Sequence, residues 1–402
     1  MKTNILCTIL LAGLVAGRLA AAPADETKLA TANNGFAFNL LKQLAHDQPA
    51  ANIFISPYSA ATVLQMVGNG AGGQTKAEMQ QVLGTTGLSA DAESAANHAI
   101  AQSLNGANTN VILTTANAIW YRAGAAVRPD FLARNRQFFG ATVDALNFAD
   151  PHCVDVINTW ASDQTRGKIP RIVDDSITQS PPEMFLANAV YLKGKWADPF
   201  QASDTHDRPF HLRGGGQKTI PMMTQSKTFT YRHGTGYQAV RLPYEGDNLA
   251  MYVFLPETNS SPEKLLAILN GDKWQRVTKP GFAEKEGTLV LPKFKLEYSV
   301  ELKAPLKTMG MKTAFDQVAA DFSGIAPQLF ISDALQKTFV EVKEEGTEAA
   351  AVTGINVAAN GIEMPPPDSF QMIVDRPFLF LIEDQQTAMI LFMGVIFDPA
   401  TN

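Results

Sequence analysis

The sequence has little cysteine, little charge and no long hydrophobic run. Only Cys7 and Cys153 occur in 402 residues, which is too few for a disulfide framework. Charged residues make up 18% of the chain and the formal net charge is -6, so neither a nucleic-acid groove nor a polybasic membrane surface is expected. The apolar run at residues 5–17 is shorter than the roughly 20 residues that a membrane-spanning helix needs. These absences favour a protein whose partner is a small molecule or another protein.

The N-terminus has the pattern of a secretory signal peptide. Lys2 precedes the short apolar run at residues 5–17, and small residues follow at 20–22. We expect residues 1–22 to be removed and the mature chain to be secreted to an extracellular or periplasmic space. Arg18 is atypical so near a cleavage site, which leaves the exact position of cleavage open. Removal takes away Cys7. The remaining thiol, Cys153, is interpreted as an inert, packed apolar residue.

The remaining composition, 46% hydrophobic with 29 Gly and 23 Pro, is typical of a folded globular protein. No repeat or linker divides it, so we predict one α+β domain over residues 23–402. The periodicity of apolar residues predicts helices at 29–45, 59–67, 76–83, 129–139 and 153–163, and strands at 52–55, 111–121, 185–192, 237–243, 249–255, 288–294, 339–342, 378–382 and 388–396.

Three local patterns add detail to this prediction. Asn33 or Asn34 could cap an early helical turn. Thr75 followed by Glu78 has the spacing of a capping box for the helix at 76–83. The strand at 185–192 is apolar almost without a break, so both of its faces should be buried in a wide sheet.

Residues 344–375 form a long segment without predicted regular structure, between a strand and the C-terminal hairpin. A loop of this length in a compact domain is usually functional or disordered. Read as a strand from Thr347 to Ala359, it places small or apolar residues on one face and its single charge, Glu348, on the other. Such a segment could enter a sheet without burying an unpaired ion.

Sequence patterns of known active sites are absent. There is no Gly-x-Ser-x-Gly elbow, Walker loop, His-Glu-x-x-His or Cys-x-x-Cys, and the six histidines are dispersed. The acidic pairs Asp174-Asp175 and Glu344-Glu345 lack a third ligand and are interpreted as solvated faces. We therefore predict that the chain is not an enzyme and needs no metal or cofactor.

Several motifs together resemble those of the serpins, over essentially the whole mature chain. They are the segment at 344–351, Glu-Glu-Gly-Thr-Glu-Ala-Ala-Ala, the segment at 375–382, Asp-Arg-Pro-Phe-Leu-Phe-Leu-Ile, and the shorter motifs at 52–57, 167–169, 188–196 and 221–223. The resemblance implies a single metastable domain with three β-sheets, eight or nine helices and an exposed reactive loop at about 344–375. It also implies inhibition in which a protease cleaves the loop, and the cleaved loop inserts into the large sheet before the acyl-enzyme is hydrolysed.

The resemblance assigns roles to individual residues. One implied group, called the breach, lies at the top of the sheet and consists of Trp196, Lys293 and Glu344. A second, polar group, called the shutter, lies under the centre of the sheet and consists of Ser56, Asn188 and Gln336. Gln336 stands where the family commonly has His, so any titratable switch at that position is lost. The implied hinge consists of Glu344, Glu345, Gly346, Thr347, Glu348, Ala349, Ala350 and Ala351.

The family register implies a scissile bond at Asn360-Gly361, with Ala359, Ile362 and Met364 as alternatives. Residues 344–375 contain no Lys or Arg, which disfavours a trypsin-like target and favours an elastase-like or subtilisin-like serine protease. Asn360 also admits an asparagine-specific cysteine protease. The other hypotheses are a non-inhibitory serpin that acts as carrier, chaperone or storage protein, and a hydrolase, for which no nucleophile and base are found. We expect a monomer.

Overall fold

The computed structural model describes residues 23–106, 111–347 and 368–400. Their α-helices are α1 (Pro23–Asp47), α2 (Pro57–Gly68), α3 (Gly73–Leu83), α4 (Ala90–Gly106), α5 (Pro129–Phe139), α6 (His152–Gln164), α7 (Ser176–Gln179), α8 (Pro262–Ile268), α9 (Gly271–Lys273) and α10 (Lys303–Met309). No helix in these ranges combines the length and the apolar character that crossing a membrane requires.

The strands of the described ranges are β1 (Ile53–Ile55), β2 (Val111–Arg122), β3 (Thr142–Leu146), β4 (Met184–Lys195), β5 (His206–His211), β6 (Gln217–Gly234), β7 (Tyr237–Pro243), β8 (Leu249–Pro256), β9 (Ala283–Pro292), β10 (Phe294–Glu301), β11 (Asp333–Lys343), β12 (Gly346–Thr347), β13 (Phe370–Ile373), β14 (Phe378–Asp384) and β15 (Ile390–Ile396). This mixture of helices and largely antiparallel strands confirms the predicted α+β class.

The strands pair into a six-stranded and a nine-stranded sheet. Their orders are β10-β11-β12-β4-β2-β3 and β1-β15-β14-β8-β7-β6-β9-β13, with β5 beside β6. The resemblance implied three sheets. Within the described ranges hydrogen bonding connects the strands into two, because the 18-residue strand β6 pairs with β5 near its start and with β7 at its end.

Strand β4 is buried on both faces, as its unbroken apolar sequence predicts. Helix α6 packs on one face, where Phe185, Ala187 and Tyr191 join the apolar cluster around this helix. Helix α2 packs on the other face, toward which Leu186 and Val190 of the main core point. The six-stranded sheet therefore lies between two helical layers, and any change in its width displaces helices on both sides.

Two predicted helix caps are wrong. Helix α1 begins at Pro23, so Asn34 lies within it, buried, and bonds the amide of Ile390 and the carbonyl of Ala388 at 2.9 and 2.8 Å. Helix α3 begins before Thr75, whose hydroxyl accepts from the amide of Asp321 at 2.9 Å. In both places long-range hydrogen bonds to other elements replace the local bonds that sequence spacing suggested.

Cys153 is buried between α6 and the sheet. Its side chain is 1% exposed and the thiol lies 3.7 Å from the carbonyl oxygen of Phe148. Burial raises the pKa of the thiol, and the nearby Asp150 carboxylate adds to the effect. This environment fits the interpretation of Cys153 as a packed apolar residue.

Glu93 on α4 is a buried acid that forms no ion pair with any residue in the described part of the chain. Its residue is 6% exposed, and its Oε1 atom has no hydrogen-bond partner among the described residues. Burial raises the pKa of this carboxyl to about 7, and Thr85 and Lys76 offset only part of the effect. The fold therefore favours the protonated form of Glu93.

The elevated pKa of Glu93 predicts that stability falls as the pH rises. The pKa is higher in the folded than in the unfolded chain, so the stabilisation is complete below about pH 4.5 and is lost between there and about pH 7, by about 3 kcal/mol in total. We expect Glu93→Gln to flatten the pH dependence of the denaturant midpoint across this range. Glu286→Gln on the exposed start of β9 is the control, and equal slopes for wild type and Glu93→Gln would contradict the prediction.

Candidate functional site

The hinge predicted from the loop motif lies where β4 and β11 stop pairing with each other. Residues 185–191 of β4 and 333–339 of β11 form a direct parallel ladder, which we call the seam. Beyond the seam β12 lies between the two strands and pairs antiparallel with both. Gly346 is opposite Lys195 on one side and Lys343 on the other. The chain after β11 therefore turns back and enters the sheet at this end.

The structure describes only the first half of the predicted hinge. Glu344 and Glu345 form the turn, and Gly346 and Thr347 form β12. The rest of the predicted hinge and the residues around the predicted scissile bond lie outside the described residues; these are Glu348, Ala349, Ala350, Ala351, Ala359, Asn360, Gly361, Ile362 and Met364.

Gly346 and Thr347 are fitted closely to β4 and to the core. Gly346 has a φ of 151°, and a Cβ atom on it would lie 2.1 Å from the carbonyl oxygen of Gly194, so only glycine fits here. Thr347 is fully buried, and its hydroxyl lies 2.7 Å from that of Tyr244. The ring of Tyr244 stacks on Trp196 at a centroid distance of 4.6 Å. These contacts fix where the chain enters the sheet.

The three residues predicted for the breach lie together beside this turn. The ammonium of Lys293 lies 3.0 and 2.9 Å from the two carboxylate oxygens of Glu344. The indole N–H of Trp196 donates to the carbonyl of Lys343 at 3.0 Å, and the main-chain N–H of Trp196 donates to the carbonyl of Glu345 at 2.9 Å. The turn before β12 is therefore held by both side-chain and main-chain bonds.

The pKa values at the hinge keep its charge constant near neutral pH. Burial alone would raise the pKa of Glu344, but the bonds from Lys293 and Thr205 outweigh it and lower the pKa below its usual value. Burial raises the pKa of Tyr244 strongly, so its hydroxyl stays protonated. As the pH falls, the Glu344–Lys293 attraction is lost when the carboxylate is protonated, at a pH below the usual pKa of a glutamate.

The three residues predicted for the shutter meet under the centre of the seam. The Gln336 amide donates to Asn188 Oδ1 at 2.6 Å and to the Ser56 carbonyl at 2.9 Å, and it accepts from the Ser56 amide at 3.0 Å. Asn188 and Gln336 are directly paired across the seam, so the bond between them joins the two strands. It lies on the face of the sheet that α2 covers, which we call the inner face. In the described ranges no three His, Cys, Asp or Glu side chains form a group that could hold a metal ion.

Two further polar residues belong to this group and were missed in the sequence. Asn188 donates to Asn117 Oδ1 at 2.6 Å and to the Ser59 hydroxyl, and Ser59 donates to Asn117 at 3.2 Å. We call these five residues, Ser56, Ser59, Asn117, Asn188 and Gln336, the seam cluster. One sequence feature could have pointed to Asn117: like Asn188, it is a lone amide side chain inside an otherwise apolar part of a strand. All five side chains are neutral.

Gln336 should be the residue of the seam cluster on which closure of the seam depends most. In Gln336→Ala the Ser56 amide and Asn188 Oδ1 lose partners in a buried site, which costs about 1–3 kcal/mol. We expect a lower denaturant midpoint and faster spontaneous loss of the native state. In Gln336→His the midpoint should gain a pH dependence near neutrality beyond the one that Glu93 gives the wild type. Gln371→Ala on the exposed side of β13 is the control, and equal midpoints for it and Gln336→Ala would refute the expectation.

Known proteins share both the sequence and the fold of this chain. The family described as Serpin (serine protease inhibitor) matches residues 31–399. The leukocyte elastase inhibitor of Sus scrofa is 35% identical over 391 residues, covering 92% of this chain and 100% of the relative. A serpin-like protein of Thermococcus kodakarensis is 35% identical, covering 93% of this chain and 87% of the relative.

A solved structure supports the same assignment. The thermophilic serpin tengpin in its native state superposes with a TM-score of 0.84 at 28% identity, covering 95% of this chain and 98% of that chain. The chain belongs to the serpin family.

Proposed function

We propose that this protein is a secreted suicide-substrate inhibitor of an elastase-like or subtilisin-like serine protease. The observation that carries the proposal is β12, because the start of the reactive loop already lies between β4 and β11. The signal-peptide pattern of residues 1–22 supports secretion, and the 35% identical leukocyte elastase inhibitor supports the class of target. The absence of Lys and Arg from residues 344–375 argues against a trypsin-like target.

The covalent step follows the ordinary chemistry of a serine protease. The serine oxygen of the protease attacks the carbonyl carbon of Asn360 and loses its proton to the catalytic base of the protease. The bond to the Gly361 nitrogen then breaks, and that nitrogen takes the proton as it leaves. The result is an ester between Asn360 and the protease, with the loop cut in two. Inhibition requires that loop insertion be faster than attack of water on this ester.

The pairing of β12 sets the register that an inserted loop would follow. Continued antiparallel pairing from Gly346 and Thr347 brings Thr353 between Asn188 and Gln336. Ala349, Ala351 and Thr353 would then share the inner face with Thr347. Small and neutral side chains on this face can be buried at little cost, whereas a charge there could not.

Insertion exchanges one strand pairing for two. The parallel ladder of the seam is lost, and the new strand pairs antiparallel with β4 on one side and β11 on the other. Antiparallel ladders are slightly more stable per residue than parallel ones. The added strand also forms main-chain hydrogen bonds on both of its edges, one set with β4 and one with β11. The direct bond between Gln336 and Asn188 must also break, and Thr353 offers a hydroxyl between the two amides. The net gain in pairing would drive insertion.

The proposal predicts a covalent complex with particular proteases. Mixing the mature protein with pancreatic elastase or subtilisin should give an SDS-stable band near the summed masses, and mass spectrometry of the denatured mixture should find a fragment that begins at Gly361. Trypsin should give no such band. A band with an asparagine-specific cysteine protease alone would replace the serine target with that class. Cleavage without a band for any protease, and no rise in thermal stability after cleavage, would favour a non-inhibitory role.

A charge on the inner face of the inserted strand should turn the inhibitor into a substrate. Thr353→Arg would place an unpaired cation beside Asn188 and Gln336, so insertion should slow and the stoichiometry of inhibition should rise by at least about tenfold. The adjacent Val352→Arg would point to the opposite, α6-covered face in this register, beside the partly exposed Lys337, and is the matched control. The ratio of SDS-stable complex to cleaved protein measures the effect. Equal ratios for the two variants would refute the register.

A further inference from the structure

A small cavity lies within the helical layer that includes α2, α3 and α4. Its volume is about 10 Å³, close to the smallest volume that holds one water molecule. Met79 and Leu83 of α3 form an apolar part of its wall. Gln65 of α2, Thr85 of the turn between α3 and α4, and Glu93 of α4 form a polar part. The cavity is therefore too small for an organic ligand, and part of its lining needs hydrogen bonds.

Two polar atoms at this cavity are buried without a partner. Thr85 is 1% exposed and Glu93 is 6% exposed. Neither the Thr85 hydroxyl nor Glu93 Oε1 has a hydrogen-bond partner among the described residues. The main chain of Thr85 is fixed, because its amide donates to the Gln80 carbonyl at 2.9 Å and its carbonyl accepts from the Leu88 amide at 3.0 Å. An unpaired polar group in a buried site is costly, so we expect a partner for both atoms.

The Thr85 hydroxyl and the Glu93 carboxyl lie near each other without a direct bond. Burial raises the pKa of Glu93, and the Thr85 hydroxyl offsets part of this effect, so the two groups are within electrostatic reach. Both line the same cavity, and no hydrogen bond joins Glu93 Oε1 to the hydroxyl. A polar contact that is too long for a direct bond is commonly bridged by water.

Gln65 supplies a third group for a water molecule at this position. Its amide nitrogen donates to Asn33 Oδ1 at 2.9 Å, and its oxygen accepts from the Asn97 amide at 2.9 Å. These two bonds hold the Gln65 side chain in place and use one of its two amide hydrogens. The second hydrogen is available to the cavity that Gln65 lines. Three partners are the usual number for a buried water.

The ammonium of Lys76 does not supply the missing bonds. Lys76 of α3 lines the same cavity, and its positive charge lowers the pKa of Glu93. Its ammonium nevertheless forms no hydrogen bond to Glu93 Oε1 or to the Thr85 hydroxyl. Lys76 is partly exposed, so its charge is solvated at the surface. Water is then the partner that fits the volume of the cavity.

We propose that this cavity holds one ordered water molecule that bridges α4, the turn between α3 and α4, and α2. The water donates to Glu93 Oε1 and accepts from the Thr85 hydroxyl and from the amide of Gln65. Each of these groups thereby gains a hydrogen bond that the protein alone does not provide. The water is a structural ligand of the helical layer.

The bridge positions a helix that reaches the seam. Helix α2, which carries Gln65, is capped by Ser56 and carries Ser59 near its start. Both serines belong to the seam cluster. A water that ties Gln65 to α4 therefore helps to fix the helix on which these two serines depend for their position.

A high-resolution crystal structure of the intact protein tests the site directly. One peak of water density should lie within about 2.5–3.2 Å of Thr85 Oγ1, Glu93 Oε1 and Gln65 Nε2. The peak should remain in Thr85→Ser, which keeps the hydroxyl. A direct bond between Thr85 and Glu93, or a cavity without density, would overturn the proposal.

The sign of the stability change in Thr85→Val tests the same site in solution. Valine has nearly the shape of threonine but no hydroxyl, so a bridging water would lose one partner. The ratio of folded to unfolded protein should then fall about five- to tenfold at about pH 5, where Glu93 is protonated because its pKa is about 7. If the hydroxyl has no partner at all, the same change removes an unsatisfied group and raises the denaturant midpoint.

Thr75→Val is the matched control. It removes a buried hydroxyl whose partner is known, the amide of Asp321 at 2.9 Å, and should lower the midpoint. A midpoint of Thr85→Val that moves in the same direction supports the water bridge, and one that rises or stays unchanged refutes it. If Thr85→Val does not fold, the density in the wild type decides. Neither measurement uses a protease, so failure of the proposed inhibition leaves both unchanged.

Discussion

The parallel pairing of β4 with β11 is the constraint on which the rest of this structure depends. Both strands lie in the middle of the six-stranded sheet, so their separation widens the sheet and displaces the helices packed on it. Main-chain bonds alone would make the seam a uniform ladder. The bond from Gln336 to Asn188 adds a local tie on the inner face, beside Ser56 at the start of α2. These hydrogen bonds can be exchanged for other hydrogen bonds, whereas interdigitated apolar side chains would have to be unpacked before the strands could separate.

The hinge shows how a strand can begin to enter a sheet without disturbing it. Gly346 fits against the main chain at Gly194 because it has no side chain, and Thr347 directs its hydroxyl to Tyr244. The Glu344–Lys293 pair adds little net stability of its own, since one partner is partly exposed. Its effect is positional, because together with Trp196 it fixes the turn that leads into β12. The site is thus a fixed entry point at the end of the seam.

Sequence reasoning located the residues whose role depends on pattern and missed those whose role depends on distant contacts. The unbroken apolar sequence of β4 is a local property and led to a correct placement, and Gly346 and Thr347 of the predicted hinge lie in the sheet. The alternation after Thr347 stays a prediction. The predicted caps at Asn34 and Thr75 were wrong because elements hundreds of residues away supplied the partners. Ser59 and Asn117 escaped notice for the same reason. Only the fold shows that they meet Asn188.

The distribution of titratable groups separates the effect of pH on stability from its effect on the seam. The seam cluster contains amides and hydroxyls only, and the carboxylate of Glu344 has a lowered pKa, so neither changes charge near neutral pH. Glu93, whose pKa is near 7, lies instead on α4, within the helical layer that includes α1 and α2. A change of pH around neutrality therefore acts first on the packing of these helices. Closure of the seam at this pH therefore depends on hydrogen-bond geometry and strand pairing, without any change in protonation.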